Sequence, residues 1–460
     1  MAAIMAGKGL GGLWFGATIA LWVVGLAGLF GLPLLVKEVR LDENALLPLL
    51  AEPTFTRRAT PAPSRRGGSA RERLQASGFR SETHAYAASH DGGGSGERCE
   101  LLSTTLRGKS NPQHQAMVWI ADEGLVHLTV ELMALLDESN WLSRDVIFLH
   151  ANFSEACEPT EAVNDWLASY HLARRRPGSR VGSVRPAGNI AAAVVLTHQR
   201  PPASSQDLLV RINSGGSGLL PNLDLLTAFR TVQGSLGGVS LALDAMEPCE
   251  TQVCAPPATL EDYARALTCL RQFYAHHWLG GPEGHHYRFR TYGVDALELR
   301  IGREFSIDSR QSQRKEEAFI RILESFARSL NNVEEKLHHS TYTYLLVNSS
   351  CCVSSPLAWV WFLVVLLVAN LAPALICRMR MGAERPTARP GLAATSAEYV
   401  AMVAGASAVS LLIVCLACLA LFREPLRAYL LCLATFPLNA GAHYLLLPPA
   451  GMAAKRTKAA

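Results

Sequence analysis

The chain has 460 residues, 49% of them hydrophobic and only 18% Asp, Glu, Lys or Arg, below the roughly 25% charged of an average soluble domain. Lys plus Arg, at 43, nearly balances Asp plus Glu, at 39, which excludes the strongly basic footprint of a nucleic-acid binder. The uncharged residues are bunched, so the length does not resolve simply into two or three soluble domains of about 150 residues.

Residues 1–12, with Lys8, read as a cytosolic N-terminus. Residues 9–36 contain no Asp, Glu, Lys or Arg, and 13–36 is read as a transmembrane helix because a span needs about 20 apolar residues. Its apolar core is longer than the roughly 7–15 residues of a signal-peptide core, so it is read as an uncleaved anchor. Uncharged stretches at 338–377, 399–422 and 428–454 give further expected spans at 356–377, 396–422 and 428–447, the last interrupted by Pro437, Asn439, Gly441 and His443. Arg378, Arg380, Arg385 and Arg389 in the loop 378–395, and Lys455, Arg456 and Lys458 in the tail 448–460, mark the cytosolic side. About four transmembrane α-helices then leave 37–355 on the lumenal side.

Within that part, 37–98 reads as a linker. Arg57-Arg58, Arg65-Arg66-Gly67-Gly68 and the glycine-rich 91–96 suggest flexible loops around a short helix at 70–76 and a strand at 79–87. From 99 to 355 apolar, β-branched runs at 101–106, 116–121, 145–151, 190–197 and 208–213 alternate with helix-period segments such as 125–136 and 160–170. This alternation predicts an α/β domain with a mostly parallel sheet covered on both faces. Phe319, Ile322, Leu323, Phe326, Leu330, Val333 and Leu337 recur at helical spacing and predict a long amphipathic helix that runs on through 342–346 towards the second span. The sequons at Asn152 and Asn348 are candidate N-glycosylation sites, and Asn152 is preferred because Asn348 adjoins the second span. Seven of the 11 cysteines are lumenal. Their odd number forbids complete internal pairing; Cys249 and Cys254 could close a short loop, whereas Cys351-Cys352 stays open between free thiols, an intersubunit link and lipid attachment.

No P-loop, GxGxxG, HExxH or hydrolase elbow occurs, and the one CxxC, Cys415 to Cys418, sits inside a span. No cofactor is expected. The doublets His276-His277, His285-His286 and His338-His339 invite a metal reading, but adjacent residues of a helix or strand point to different faces, so they are read as solvated or loop histidines. Asn222, after the glycine-rich 214–218, reads as a helix N-cap with Asp224 in the first turn.

Blocks in a fixed order carry a resemblance. They are Asp42-Glu43-Asn44-Ala45-Leu46-Leu47-Pro48 after the first span, Trp141-Leu142-Ser143-Arg144-Asp145 leading into 146–149, Leu220-Pro221-Asn222-Leu223-Asp224-Leu225-Leu226, and Tyr292-Gly293-Val294-Asp295-Ala296-Leu297-Glu298-Leu299. The chain thereby resembles the anchor-attachment subunit of the glycosylphosphatidylinositol (GPI) transamidase, a family that usually has more spans after its lumenal domain. Asn44, Pro221, Asn222 and Asp224 are the candidate family-motif contacts. The resemblance implies a lumenal fold similar to aminopeptidase-type di-zinc exopeptidases. It places the metal-ligand positions at or near Ile120, Asp122, Asn152, Thr197 and Tyr292. An apolar residue, an amide, a hydroxyl and a phenol cannot complete a two-metal site, so Asp122 and Tyr292 are read as relict positions and no catalytic residue or metal ligand is assigned. The resemblance thus implies a non-catalytic subunit in the endoplasmic reticulum membrane. It would help assemble the complex and present the GPI lipid to precursor proteins, and its partners would include a caspase-like cysteine protease subunit. The alternatives are a membrane-anchored metallopeptidase, and a receptor or transporter; against transport, no expected coupling charge lies within the uncharged cores of the spans.

Overall fold

The computed structural model describes residues 24–354 except 26, 29, 56–68, 88–97, 110–114, 152–158, 176–183, 185, 200–203, 214–219, 252–253, 279–282, 303–309 and 334–336. The chain divides into two compact units, one of residues Val36–Val353 and one of Met1–Leu35 with Ser354–Ala460. Among the described residues no helix is long and apolar enough to cross a membrane; the expected spans at 356–377, 396–422 and 428–447 lie outside them. The expected first span, 13–36, is described in part from residue 24, and it ends as a 3-10 helix, Leu32–Leu35. Pro33 lies inside that turn and has no N–H to continue an α-helical ladder.

In the larger unit, β1 (Lys37–Glu38) is followed by a 3-10 turn, Asn44–Leu46, and by α1 (Ala70–Ala76), whose bounds match the expected helix. A capping box starts α1: Ser69 accepts from Glu72 N, and the Glu72 side chain returns to the Ser69 backbone. Then come β2 (Glu82–Ala87), β3 (Arg98–Leu106), β4 (Gln115–Asp122), α2 (Val126–Glu138), β5 (Asp145–Ala151), α3 (Pro159–Arg175), β6 (Asn189–His198), β7 (Leu208–Arg211), α4 (Leu223–Leu236), β8 (Leu241–Leu243), α5 (Leu260–Phe273), α6 (Tyr287–Thr291), β9 (Asp295–Ile301), α7 (Arg310–Asn331), β10 (Tyr344–Asn348) and β11 (Cys351–Ser354).

Eight strands form one sheet in the order β2-β3-β5-β4-β6-β9-β7-β8. The central strands β5, β4 and β6 are parallel, as expected from their continuous apolar runs, and β9, not among the expected strands, joins parallel to β6. The flanks correct the mostly parallel reading to a mixed sheet, because β2, β3 and β5 pair antiparallel and β7 runs against β9. On one face, Ala116, Val118 and Ile120 of β4 and Ile147 and Leu149 of β5 pack with Trp166, Leu167 and Tyr170 of α3 and Phe289 of α6. The alternate residues are buried too; His150, facing the other way, bonds through Nε2 to Thr129 Oγ1 of α2 at 2.8 Å. That second face is covered by α2, with α4 and α7 packed together and α7 also against α2.

α7 is where the helix expectation needs correction. It ends at Asn331, not near 346, and the segment 344–348 is β10 of a separate three-stranded sheet, β1-β11-β10. The Asn331 side chain ties the end of the helix to 141–144. Its Oδ1 accepts from Ser143 N at 3.0 Å and Arg144 N at 3.1 Å, and its Nδ2 donates to Trp141 O at 2.9 Å. β1 pairs antiparallel with β11, Lys37 opposite Cys352, so the polypeptide enters and leaves this unit on neighbouring strands. The cysteines also depart from the short-loop expectation. Cys249 pairs with Cys269 on α5 and Cys254 with Cys351 on β11, while Cys352 is free and buried. Cys249 closes a 3-10 turn, Glu247–Cys249, whose packing against α5 sets it beside Cys269 rather than Cys254.

The polar residues of α7 also hold a distant segment. Glu324 is wholly buried. It accepts from Thr54 N at 2.8 Å, Thr54 Oγ1 at 2.5 Å and Phe55 N at 2.8 Å. Ser325 and Ser329 donate to the carbonyls of Ala51 and Leu46. The segment 46–55 is thereby strapped along the helix. Glu324→Ala strands those donors, each charge-assisted bond being worth about 1.5–3 kcal/mol. It should lower unfolding stability by about 3 kcal/mol and open the strap to limited proteolysis. Unchanged stability and an unchanged digestion pattern would contradict this account.

Candidate functional site

Motif blocks far apart in sequence meet at the first turn of α4. Asn222 caps that helix as expected, its Oδ1 accepting from Asp224 N at 3.0 Å. The Asn222 backbone N–H donates to Asp295 Oδ1 at 3.0 Å, at the start of β9. Asp224 does more than face the helix dipole. It is wholly buried, and its two oxygens accept from Asp42 N at 2.9 Å and Glu43 N at 2.8 Å. Burial pushes its carboxyl above the usual value, against the pull of those two N–H groups.

Other contacts close the junction. Glu43 caps the 3-10 turn through Ala45 N. The Pro221 carbonyl accepts from the Tyr344 hydroxyl at 3.0 Å, and Leu223 N donates to Thr341 O at 3.1 Å. Arg290 Nη1 donates to Asp295 Oδ1 at 2.8 Å, with its guanidinium 4.7 Å from the centre of the Tyr342 ring. Pro221, Asn222 and Asp224 are therefore brought together with the backbone of 42–43. Asn44 begins the neighbouring turn and is exposed.

A second polar constellation crosses β6, β9, β7 and the end of β8. Glu298 of β9 is buried and accepts from Thr197 Oγ1 of β6 at 2.9 Å and from His285 N at 2.9 Å; it lies 3.2 Å from His286 Nδ1. Burial opposes its ionisation. The His286 hydrogen bond, and the charges of His286, His285 and Arg211, nevertheless hold its carboxyl well below the usual carboxylate range. Asp244, just after β8, accepts from Arg211 Nε at 2.6 Å and Arg300 Nη1 at 2.8 Å. Its carbonyl lies 3.2 Å from His277 Nε2. Gly284 makes the close approach to Glu298 possible: its φ is +82°, and a Cβ there would lie 2.1 Å from Glu298 Oε2. His277 and His286 are thus buried, which corrects the solvated reading for those two rings, whereas His276 is exposed and 285–286 lies in a loop. The missed signal was a charge inside an apolar strand run: Arg211 in β7 and Glu298 in β9 needed partners.

The relict positions do not form one ligand set. Ile120 is in the apolar core. Asp122 ends β4 half-buried, before the 3-10 turn Glu123–Leu125. Thr197 is committed to Glu298. Tyr292 follows α6 and stacks on His171, ring centres 4.7 Å apart and 1° from parallel. Asn152 lies outside the described residues. Asn348 is buried at the end of β10, with Oδ1 accepting from Ser350 N at 2.8 Å.

A family model described as Gaa1-like, GPI transamidase component, matches residues 113–439. Among solved structures, the chain is similar to Fimbriiglobus ruber glutaminyl cyclase, at 8% identity over 56% of this chain and 85% of that chain, with a TM-score of 0.36. It is similar also to Acidobacteriales bacterium glutaminyl cyclase, at 12% identity over 64% and 96%, TM-score 0.33. The zinc aminopeptidase BSAP from Bacillus subtilis matches at 14% identity over 53% and 52%, TM-score 0.28. No residue roles are transferred at these identities.

Two buried histidines predict an acid-side loss of stability. Burial pushes His150 and His277 down to about 4 each. A depressed folded value means that the folded state favours the neutral ring, so this stability is complete above the unfolded value of about 6.5 and is lost as pH falls from there towards 4. At about 1.4 kcal/mol per pH unit for each ring, going to pH 5 should remove about 4 kcal/mol in total. Urea unfolding of the detergent-solubilised chain between pH 7.5 and 5 measures this, and His150→Gln should flatten part of the slope.

Proposed function

Since the match across 113–439 makes this chain a member of the Gaa1-like family of GPI transamidase components, we propose that it serves the complex without performing hydrolysis or transfer itself. The chain is a subunit of a GPI transamidase. In the proposed arrangement its α/β unit docks the other subunits, among them a caspase-like cysteine protease subunit that supplies the nucleophile. The membrane part helps present the GPI lipid to the C-terminal end of precursor proteins. The observation that carries the non-catalytic reading is the commitment of the relict side chains: Thr197 to Glu298, Tyr292 to the His171 ring, and Ile120 to the core. None of these offers a group to polarise a carbonyl or activate water.

The same reading places the protein in the endoplasmic reticulum membrane with 37–355 lumenal. The uncharged stretches and their arginine flanks support it, as do two disulfides, which suit an oxidising compartment. The adjacent exits at Lys37 and Cys352 suit a domain held between two spans.

A side chain acting in the chemistry contributes about 10²–10⁴-fold. Asp122→Ala and Tyr292→Phe should instead leave GPI attachment in reconstituted complex within about threefold of wild type, below that range. A loss of attachment in both variants, with subunit co-purification intact, would overturn the non-catalytic reading.

Asn152 is the proposed glycan acceptor, because Asn348 is buried and engaged by Ser350 N. Asn152→Gln should remove an endoglycosidase-sensitive mobility shift that Asn348→Gln retains; the reverse pattern would reject the assignment.

A further inference from the structure

The third histidine doublet lies against the motif junction in a way its sequence did not suggest. The rule that neighbouring residues point apart holds for helices and strands, but 338–339 is in neither. The two rings lie on the same side, with centres 4.3 Å apart and planes inclined by 35°. One ligand atom each from His338, His339 and Glu43 can be chosen so that all lie within 4.8 Å of one another. His339 Nε2 is 3.6 Å from Glu43 Oε2. In a tetrahedral site with metal–ligand distances of about 2.0–2.1 Å, ligand atoms stand about 3.3–3.5 Å apart. One edge is thus almost at the required length, and small rotations of the two exposed rings supply the others.

The supports around these side chains are those a metal site needs. The Glu43 carboxylate is divided: Oε1 accepts from Ala45 N at 3.3 Å, and Oε2 faces His339. The Glu43 backbone is fixed by its N–H bond to Asp224. The doublet is pinned on both sides. Leu337 O accepts from the Tyr342 hydroxyl at 2.6 Å, and Thr341 O accepts from Leu223 N at 3.1 Å. Backbone and second oxygen are held in place before any ion arrives, which is how outer partners orient ligands.

We propose that Glu43, His338 and His339 form a binding site for a zinc-class divalent ion, with two imidazoles, one carboxylate oxygen and a solvent-facing fourth position. Imidazole donors select zinc and its neighbours over magnesium and calcium, which prefer all-oxygen sets. The bound ion staples the 42–46 turn to the segment ahead of β10, at the junction that Asp224 organises. It does not belong to the relict peptidase positions, and Asp122 takes no part in it.

The test uses the full-length chain in detergent, stripped with chelator and carrying no polyhistidine tag, titrated with Co²⁺ and then Zn²⁺. Wild type should bind one equivalent with the visible absorption of tetrahedral Co²⁺, displaced by Zn²⁺ and unaffected by excess Mg²⁺. Outer partners alone are worth about 10–100-fold, so loss of both rings in His338→Ala/His339→Ala should weaken binding by more than about 100-fold. Those rings are exposed, so an unchanged melting curve without metal should confirm that the variant folds. Glu43→Gln should weaken binding, and Asp122→Ala should bind as wild type does. Equal affinity in wild type and the double histidine variant, or absence of the tetrahedral spectrum in wild type, overturns the proposal. Metal lost in Asp122→Ala but kept in the histidine variant overturns it as well, and would place the ion at the peptidase-like positions.

Discussion

A carboxylate removed from water keeps its charge only where donors replace the lost hydration. In this protein Asp224, Asp295, Glu298 and Glu324 are all buried, and each receives a backbone N–H from another segment, distant in sequence for all but Glu298. That requirement organises the molecule. Asp224 holds residues 42–43, Asp295 the cap of α4, Glu298 the loop at 285 and Glu324 the strap at 54–55. Loop segments are thereby fastened to the α/β core, in addition to what apolar residues such as Leu46 and Ala51 bury there.

The constraint also explains why the motif blocks have the composition they do. In 220–226 the asparagine caps a helix and the acid two residues on binds the 42–43 backbone. In 292–299 the first acid receives that cap and the second anchors the histidine loop. The block at 141–144 meets the same network from the far end, through Asn331 of α7. Apolar burial supplies most of the driving force for the sheet and its helices. It is non-directional, however, and the hydrogen-bonded acids set which loop lies where.

Polar side chains elsewhere in the α/β body are tied into the same framework. Thr197 bonds the buried Glu298 carboxylate, and Tyr292 stacks on the His171 ring. The α/β body has neighbouring entry and exit strands, and disulfides join its outer segments.

The sequence by itself determined the central strands β4, β5 and β6, the helices α1 to α3, the cap at Asn222 and the apolar face of α7, because each follows from local spacing or a local donor–acceptor pair. Family membership was legible in the order of short blocks, which needs no geometry. Tertiary structure alone decided where α7 stops, since the apolar helical spacing continues through Val333 and Leu337 while the helix ends at Asn331, whose side chain bonds 141–144. It decided the disulfides too, because proximity in sequence says little about which thiols a turn and a helix bring together. It also decided the fate of the histidines. The same doublet pattern yields a buried ring on Asp244 O, a buried partner for Glu298 and an exposed pair beside Glu43, according to the partner each meets in the fold. Periodicity records which face of an element is apolar; it does not record which distant backbone will bring its N–H to a buried charge.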